Sequence, residues 1–159
     1  MSRGEGRVRP AERRDLDRVA ALWTAITHHH ASLDPLFTQR PNADDVLREL
    51  IAELHAERDA AIFVFDVDGD LPGMCIVRID RAPPILEETE RAEITDIAVR
   101  EGFRRQGIAR QLVEEALDWV DRSGVERVEV QVAVGYAEGQ AFWRALGFGD
   151  LLQILHRRL

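Results

Sequence analysis

The chain has 159 residues, of which 45% are hydrophobic and 31% are charged, proportions typical of one globular domain with a buried core. Arg and Lys number 21 against 29 Asp and Glu, and the resulting net charge of −8 disfavours a nucleic-acid partner. An acidic surface also suits a cationic ligand such as an amine, although many proteins carry one simply to stay in solution.

Cysteine content and hydropathy exclude further classes. Cys75 is the only cysteine, so the chain forms no internal disulfide and no cysteine metal cluster. No apolar run approaches the roughly 20 residues needed to cross a bilayer, and residues 1–6 lack the apolar core of a signal peptide. We therefore expect a cytoplasmic protein without metal or membrane contact, made of a flexible leader (residues 1–6) and a single domain (residues 7–159).

The N-terminal part of the chain predicts a strand followed by a helix. Residues 7–9 form a short strand that ends at Pro10, which has no backbone N–H for a ladder. Asp15 is expected to cap a helix that reaches about Thr27. The three histidines at 28–30 follow, and neighbouring helical side chains point apart, so they cannot chelate one metal. They form a polar helix end, or one of them lines a substrate pocket.

A second helix and a hairpin come next. Asn42 is expected to cap the helix and Asp59 to end it. Residues 61–67 and 74–79 are rich in apolar and β-branched side chains and are joined by an Asp-Gly-Asp turn, which predicts two paired strands. Cys75 lies in the second of them and is expected to be a core residue rather than a nucleophile.

The most informative stretch is a strand, a basic loop and an amphipathic helix. The strand covers residues 93–99 and the loop covers residues 100–107. The helix begins at Ile108, and apolar residues recur at spacings of three and four as far as Val120. A helix start presents unpaired backbone N–H groups and partial positive charge, which makes it a natural site for an anion.

The residues at this helix start suit a diphosphate. Gly107 and Ala109 are small, so a ligand can approach the backbone closely. Arg104, Arg105 and Arg110 add fixed positive charge.

Beyond this helix the pattern predicts a strand, a short helix and a last strand. Ser123 and Gly124 end the long helix. Residues 125–134 alternate, with valines on one face and polar side chains on the other. A short helix then ends at Gly147, and residues 151–155 are predicted to form the final strand.

Two motifs resemble the GNAT superfamily of acetyl-CoA-dependent N-acetyltransferases. Arg104-x-x-Gly107-x-Ala109 follows the strand triplet Ile97-Ala98-Val99, and residues 141–148 are similar to the family's helix with a Gly-Phe ending. The resemblance implies an α/β fold, the acyl-CoA N-acyltransferase (GNAT) fold. Its central sheet is mixed and mostly antiparallel, splays between strands 4 and 5, and is flanked by about four helices.

The resemblance also implies where acetyl-CoA binds. The backbone of Ile97 and Val99 would pair with the pantetheine arm as an added strand would, and residues 104–109 would hold the pyrophosphate. The predicted contacts with this co-substrate are Ile97, Ala98, Val99, Arg104, Arg105, Gln106, Gly107, Ile108, Ala109, Arg110, Phe142 and Trp143.

Acetyl transfer to an amine needs a base, and two carboxylates on the central strand are candidates. Glu93 stands where the resemblance to histone-type members places their catalytic glutamate, so it is favoured over Asp96. The two have opposite parity and face opposite sides unless a bulge intervenes. Some members use a carboxylate at the position of Gln131, which cannot take a proton. By the same resemblance, the Val99 N–H would donate to the thioester carbonyl.

The usual acid of the family is missing. Its pattern, Asn-x-x-Ala-x-x-Phe/Leu-Tyr, reads here as residues 136–143, with Trp143 in place of the tyrosine and Tyr136 in place of the asparagine. An indole N–H is too weak an acid to protonate a thiolate. The remaining possibilities are Tyr136 as the acid, a water molecule, or a thiolate that leaves unassisted, and the last is preferred because an alkyl thiol is a good leaving group.

These features predict an enzyme that moves an acetyl group directly from acetyl-CoA to an amine of a small molecule or peptide. Because the tyrosine is missing, a non-catalytic acyl-CoA-binding module of the same fold is the alternative. A phosphate-binding regulator without CoA is a third hypothesis. A homodimer is the default expectation for the assembly.

Overall fold

The computed structural model describes residues 5–159, so the predicted leader (residues 1–6) lies mostly outside the described residues. The described chain is a five-stranded sheet with two helices against each face. In chain order the elements are β1 (Arg7–Pro10), α1 (Leu16–Leu33), α2 (Ala43–Ala56), β2 (Ala60–Val67), β3 (Asp70–Arg81), β4 (Glu90–Val99), α3 (Ile108–Arg122), β5 (Val128–Val130) and α4 (Ala137–Ala145). No helix within residues 5–159 is long and apolar enough to cross a membrane.

The sheet is mixed and mostly antiparallel, as predicted. Its order is β1-β2-β3-β4-β5; the first four strands are antiparallel, and β5 runs parallel to β4. The β4–β5 pairing ends at Ile94 opposite Val130, while β4 continues to Val99. The two strands therefore separate beyond Ile94, and the predicted splay is confirmed. We call the space between them the β4–β5 gap.

Two apolar clusters hold the helices to the sheet. One lies between the sheet and α3, with Leu112 and Val113 fully buried, and it includes Trp143 of α4. The other lies between the sheet and the pair α1 and α2, with Val19 and Ile51 at its centre. Cys75 is fully buried in the α3 cluster, where burial raises the pKa of its thiol, in keeping with the predicted core role.

A bulge in β4 changes which way its carboxylates face. Ile76 of β3 is opposite Asp96, but the next residue, Val77, is opposite Ile94, so Thr95 is an extra residue in β4. Glu93 and Asp96 consequently lie on the same face of the sheet, the face that α1 covers. The sequence analysis expected Glu93 and Asp96 on opposite faces unless a bulge intervened, and the bulge at Thr95 is present.

Two predicted helix boundaries were wrong in their details. The first helix does not stop near Thr27 but continues to Leu33, so the three histidines belong to its last turns. No Gly or Pro interrupts the chain before Pro35, and the helix persists until the residues that precede this proline. The second helix ends at Ala56 rather than at Asp59, and the side chain of Asn42 makes no capping hydrogen bond.

The side chain of Asp15 does not cap α1 either. It is fully buried and accepts hydrogen bonds from the Glu12 backbone N–H (2.8 Å), from Arg9 Nη1 (2.7 Å) and from Arg18 Nη2 (2.8 Å). Asp15 thus closes the short turn before α1 and ties it to β1.

The predicted C-terminal strands are reduced. The fifth strand covers Val128–Val130 instead of residues 125–134, and Val134 is exposed. The predicted strand at residues 151–155 is not formed, and Leu152, Ile154 and Leu155 are exposed. The alternation of residues 125–134 was real, but within residues 5–159 only residues 128–130 pair with another strand, and residues 151–155 pair with none.

Candidate active site

The start of α3 offers unpaired backbone donors. Gly107 is the N-cap and adopts a left-handed conformation (φ 78°), which glycine tolerates best. No side chain caps this end of the helix, and its first turn contains no acidic residue. Within the described chain, the backbone N–H groups of residues 105–110 have no hydrogen-bond acceptor. The helix start is therefore electrostatically suited to an anion, as predicted.

The arginines of the loop lie around this helix start. Arg104 donates from Nε to the Val99 carbonyl (3.1 Å), which ties the loop to the end of β4. The Arg105 side chain is exposed and lies 3.8 Å from Glu138 in the first turn of α4. Arg110 is also exposed. Exposed guanidinium groups so weakly engaged remain available to a phosphate.

A glycine outside the motif fixes where α3 begins. A Cβ on Gly73 of β3 would lie 2.9 Å from Ile108 Cγ2 and 3.1 Å from Leu112 Cδ1. The missing side chain lets the first turn of α3 press against the sheet, and Ile108 is buried there. Ile108 thus anchors the helix, and any contribution it makes to a ligand comes through its backbone.

The exposed edge of β4 presents backbone groups to the β4–β5 gap. The Arg100 N–H donates to the Pro72 carbonyl of β3 (2.7 Å). In an antiparallel ladder, hydrogen-bonded and non-hydrogen-bonded pairs alternate, so Val99 and Ile97 are in non-hydrogen-bonded pairs with β3. Their N–H and C=O groups therefore point away from β3, into the gap. Ala98, between them, is buried under α1.

The two aromatic residues of α4 pack mainly into the core. Trp143 is 6% exposed and contacts Phe142 and Phe148 edge-to-face, with ring centroids 5.1 and 5.0 Å apart. This arrangement favours a packing role for Trp143, while the predicted co-substrate contacts of Phe142 and Trp143 stay predictions.

Asp96 is partly buried beside the gap, close to Thr95, Trp23 and His30. Burial raises the pKa of Asp96 above its ordinary value, and hydrogen bonds from Thr95 and Trp23 together with the nearby His30 offset part of this rise. Within the described residues, no arginine forms an ion pair with it. A carboxylate in this environment is a stronger base than an exposed one.

Glu93 is surrounded by charged groups instead. Its partial burial raises its pKa, as do the neighbouring Asp80 and Glu129, while Arg78 and Arg91 act in the opposite direction. It is level with Glu129 of β5, before the strands separate. Both predicted bases therefore have raised pKa values, but Asp96 is closer along β4 to the open gap.

Four aromatic rings contact one another in a group that reaches Asp96 through His30. His30 of α1 lies 5.4 Å from Phe37 and 6.1 Å from Tyr136, and His29 lies 5.4 Å from Tyr136, measured between ring centroids. We call these four residues the aromatic cluster. Burial lowers the pKa of His30, helped by His29, so this ring is neutral at pH 7. Burial raises the pKa of Tyr136.

A cleft of about 300 Å³ lies between α1 and the start of the basic loop. Its lining includes Ala25 and Ile26 of α1, Ala98 and Val99 of β4, and Arg104. It places apolar space for a ligand next to the exposed end of β4. Within residues 5–159, no three side chains of His, Cys, Asp or Glu come together in a way that could hold a metal ion.

Residues 19–148 match the family described as Acetyltransferase (GNAT). The chain belongs to the GNAT family. Over 105 residues it is 28% identical to an N-alpha-acetyltransferase of Sulfurisphaera tokodaii, a match that covers 63% of each protein. Over 61 residues it is 31% identical to the [Ribosomal protein bS18]-alanine N-acetyltransferase of Escherichia coli K12, which covers 38% of this chain and 41% of that protein. Both matches span less than two thirds of the relatives' length.

Solved structures share the GNAT fold with this chain. A tetramutant of the BH1408 protein from Bacillus halodurans superimposes with a TM-score of 0.84 at 20% identity, covering 96% of this chain and 99% of that one. The aminoglycoside N-acetyltransferase AAC(6')-Iy, solved in complex with CoA, gives a TM-score of 0.79 at 20% identity, covering 100% and 98%. The predicted acyl-CoA N-acyltransferase fold is confirmed.

Sequence reasoning missed several residues around this site. Trp23 of α1 was not singled out in the sequence, yet its indole N–H donates a hydrogen bond to Asp96. It lies seven residues before His30, two helical turns, so this spacing could have placed both on one face. Phe37 lies seven residues after His30 but in a separate turn beyond α1, so helical spacing does not relate them. Gly73 had no such signal, because Ile108 and Leu112 are distant in sequence.

Proposed function

We propose that this GNAT protein transfers an acetyl group from acetyl-CoA to an amine of a small molecule or peptide. The observation that carries the proposal is the unpaired backbone N–H groups of residues 105–110, next to the β4–β5 gap. A diphosphate at this helix start would satisfy these donors, and Arg105 and Arg110 would add charge–charge attraction. The exposed backbone groups of Ile97 and Val99 would then pair with the pantetheine arm in the gap.

A substitution at Gly107 tests this binding site. Gly107→Glu places a negative charge and a side chain against the proposed diphosphate position, and we expect CoA affinity to fall at least 100-fold by calorimetry. Gly124→Glu is the matched control, because Gly124 has nearly the same φ (76°), has no atom within 4 Å of a built Cβ, and lies at the other end of α3. Equal CoA affinity in the two variants would contradict the assignment.

We propose Asp96 as the general base. The thioester supplies an activated acyl carbon and a thiolate leaving group. Asp96 takes a proton from the ammonium of the acceptor, so that the nitrogen can attack this carbon as the carbon–sulfur bond breaks. Its burial, its raised pKa and its place beside the gap support this role. Glu93, which the sequence favours, is the second candidate and is compared directly with Asp96 in the Discussion.

The Val99 N–H is proposed to donate to the carbonyl oxygen, because it points into the gap. For the leaving thiolate, Tyr136 is a poor acid because its pKa is raised, which supports unassisted departure. Tyr136→Phe tests this assignment: loss of the alkaline limb of the kcat profile would identify Tyr136 as the acid.

The alternative is an acyl-CoA-binding module without activity. Incubation with acetyl-CoA and a panel of amines, followed by measurement of thiol release and of the acetylated product, separates the two. Tight binding of acetyl-CoA, with no thiol released in the presence of any amine, would favour the binding module. A protein that does not bind CoA would instead fit the third hypothesis, the phosphate-binding regulator.

Two further expectations remain predictions. We expect a homodimer, for which the exposed Leu152, Ile154 and Leu155 offer an apolar contact surface. Light scattering of the purified protein would measure the assembly. A cytoplasmic location is likewise expected and can be followed by cell fractionation.

A further inference from the structure

Tyr136 connects the two sides of the β4–β5 gap. It directly precedes α4 and so belongs to the part of the chain that follows β5. Its ring meets His29 and His30 of α1 edge-to-face, with interplanar angles of 67° and 70°. Burial and the nearby Glu138 raise the pKa of Tyr136, and Arg104 of the basic loop lies close enough to offset part of this rise. Tyr136 is therefore the member of the aromatic cluster that lies towards the basic loop.

Gly139 leaves free the space that the Tyr136 ring occupies. A Cβ at position 139 would lie 2.4 Å from Cδ1 and 2.7 Å from Cε1 of Tyr136, distances that van der Waals repulsion forbids. Gly139 is an interior residue of α4 with no positive φ, so the helix itself gives no reason for a glycine there. The absence of a side chain at 139 is therefore explained by the position of the Tyr136 ring.

The charges around the aromatic cluster suit an acceptor with one positive charge. Within the described residues, Asp96 has no arginine among the groups that shift its pKa. Glu93 on the same face forms no ion pair in this part of the chain either, but Arg78 and Arg91 lie close enough to lower its pKa. By contrast, Glu129 is held by Arg127 (2.6 Å) and by Arg91 (3.2 Å). Asp80 is held in the same way by Arg78 (2.9 Å). A second ammonium group would find these neighbouring carboxylates already neutralised.

We propose that the aromatic cluster, with Tyr136 seated on Gly139, is a wall of the acceptor site and selects a singly charged primary amine on an apolar body. This inference rests on the proposed acetyltransferase function. The ammonium group pairs with Asp96, and the faces and edges of the rings contact the apolar part. Gly139 is a positioning residue, because it acts only through Tyr136.

Binding to the complex of the protein with CoA tests the inference without turnover, since CoA carries no acetyl group. The probes are 2-phenylethylamine, ethylamine and spermidine, titrated by calorimetry. The variants are Tyr136→Ala, Gly139→Ala, the double variant and Tyr136→Phe. Gly135→Ala is the matched control, because Gly135 lies in the same segment and a Cβ there would meet nothing within 4 Å.

The wild type should bind 2-phenylethylamine more tightly than ethylamine or spermidine. Tyr136→Ala and Gly139→Ala should each weaken this binding by about 3- to 10-fold, and the double variant should be no weaker than Tyr136→Ala. Tyr136→Phe should keep the preference, and Gly135→Ala should match the wild type. CoA affinity and thermal unfolding serve as readouts of folding, and Gly→Ala inside a helix ordinarily stabilises the helix.

Equal affinity of the wild type and Gly139→Ala for 2-phenylethylamine, or tighter binding of spermidine, would overturn the inference. Parallel assays with acetyl-CoA keep its failure distinct from failure of the proposed function. If amines cause thiol release and Gly139→Ala uses them as well as the wild type does, the proposed wall is wrong and the proposed function stands. Ring-dependent amine binding without thiol release would support the wall as an amine site and overturn catalysis.

Discussion

Asp15 and Asp96 are both carboxylates withdrawn from water, and their surroundings drive their pKa values in opposite directions. Asp15 is 0% exposed and receives hydrogen bonds from Arg9, from Arg18 and from a backbone N–H, chiefly the first of which holds its pKa below the ordinary value. Asp96 has indole and hydroxyl donors but no arginine, and burial raises its pKa. Burial alone therefore does not predict the role of a carboxylate; the charge of its partners does.

The two sites also differ in what they can do. Asp15 is saturated with donors and joins β1, the following turn and α1, so it has no capacity left for a ligand. Asp96 keeps acceptor capacity beside an open gap. One carboxylate stabilises the fold, and the other is proposed to accept a proton during catalysis.

The largest effect is expected from Asp96→Asn. The substitution removes the proposed base, so kcat/KM should fall by about 10²- to 10⁴-fold. The free energy of unfolding should not decrease, because an unpaired carboxylate is replaced by a neutral group of the same shape. Steady-state kinetics and urea unfolding measure the two quantities.

Glu93→Gln is the matched comparison for Asp96→Asn. With Asp96 as the base, it should lower kcat/KM less than tenfold. A larger loss for Glu93→Gln than for Asp96→Asn would assign the role to Glu93, as the sequence alone suggests.

Asp15→Asn should show the opposite pattern. It leaves Arg9 and Arg18 without a buried counter-charge, and we expect a loss of about 3–5 kcal/mol in the free energy of unfolding. The kcat/KM of the protein that remains folded should be unchanged. Asp17→Asn, two residues later in the first turn of α1 and 87% exposed, is the control and should change stability by less than about 0.5 kcal/mol. Equal stability of the two variants would show that the Asp15 contacts add nothing.

Lowering the pH should reveal the protonation of the two carboxylates at different pH values. Because the folded-state pKa of Asp96 is raised, kcat/KM should fall with a slope of one at a pH above the ordinary aspartate value of about 3.9. The folded-state pKa of Asp15 is lowered instead. The stabilisation that Asp15 contributes is therefore complete above about pH 3.9 and is lost as the pH falls through the folded-state pKa of Asp15.

Activity should thus disappear at a higher pH than the fold does. Kinetics and circular dichroism across the same buffers test this order. Simultaneous loss of both signals would mean that activity reports unfolding rather than titration of Asp96.

The smallest effect is expected from giving Asp96 a partner of the kind that Asp15 has. His30→Arg places a guanidinium near Asp96, so the pKa of Asp96 should fall and the acid limb of the kcat/KM profile should move down by about one pH unit. His28→Arg is the control, because His28 is exposed. An unchanged limb in His30→Arg would show that a residue other than Asp96 titrates.

The sequence predicted the elements whose signals are local. The strand ending in Ile97-Ala98-Val99 and the amphipathic α3 each follow from neighbouring residues, and both are present. The bulge at Thr95 depends on register with β3, which no local pattern encodes, so the common face of Glu93 and Asp96 could not be predicted.

The other differences between the expected and the observed structure also have identifiable physical causes. The extension of α1 to Leu33 follows from the lack of a helix breaker before Pro35, a signal that was available in the sequence. Asp15 stands directly before a helical pattern, where a capping residue is expected. The side chains that bind it are those of Arg9 and Arg18, six residues before it and three after it, and they reach it only in the fold. Residues 151–155 have the composition of a strand, but no strand within residues 5–159 pairs with them.

A crystal structure with acetyl-CoA tests the central claim most directly. The account predicts the two linked phosphates against the backbone N–H groups of residues 106–110, the pantetheine arm beside Ile97 and Val99, and the acetyl group within reach of an amine held by Asp96. A diphosphate bound anywhere else on the protein would contradict it.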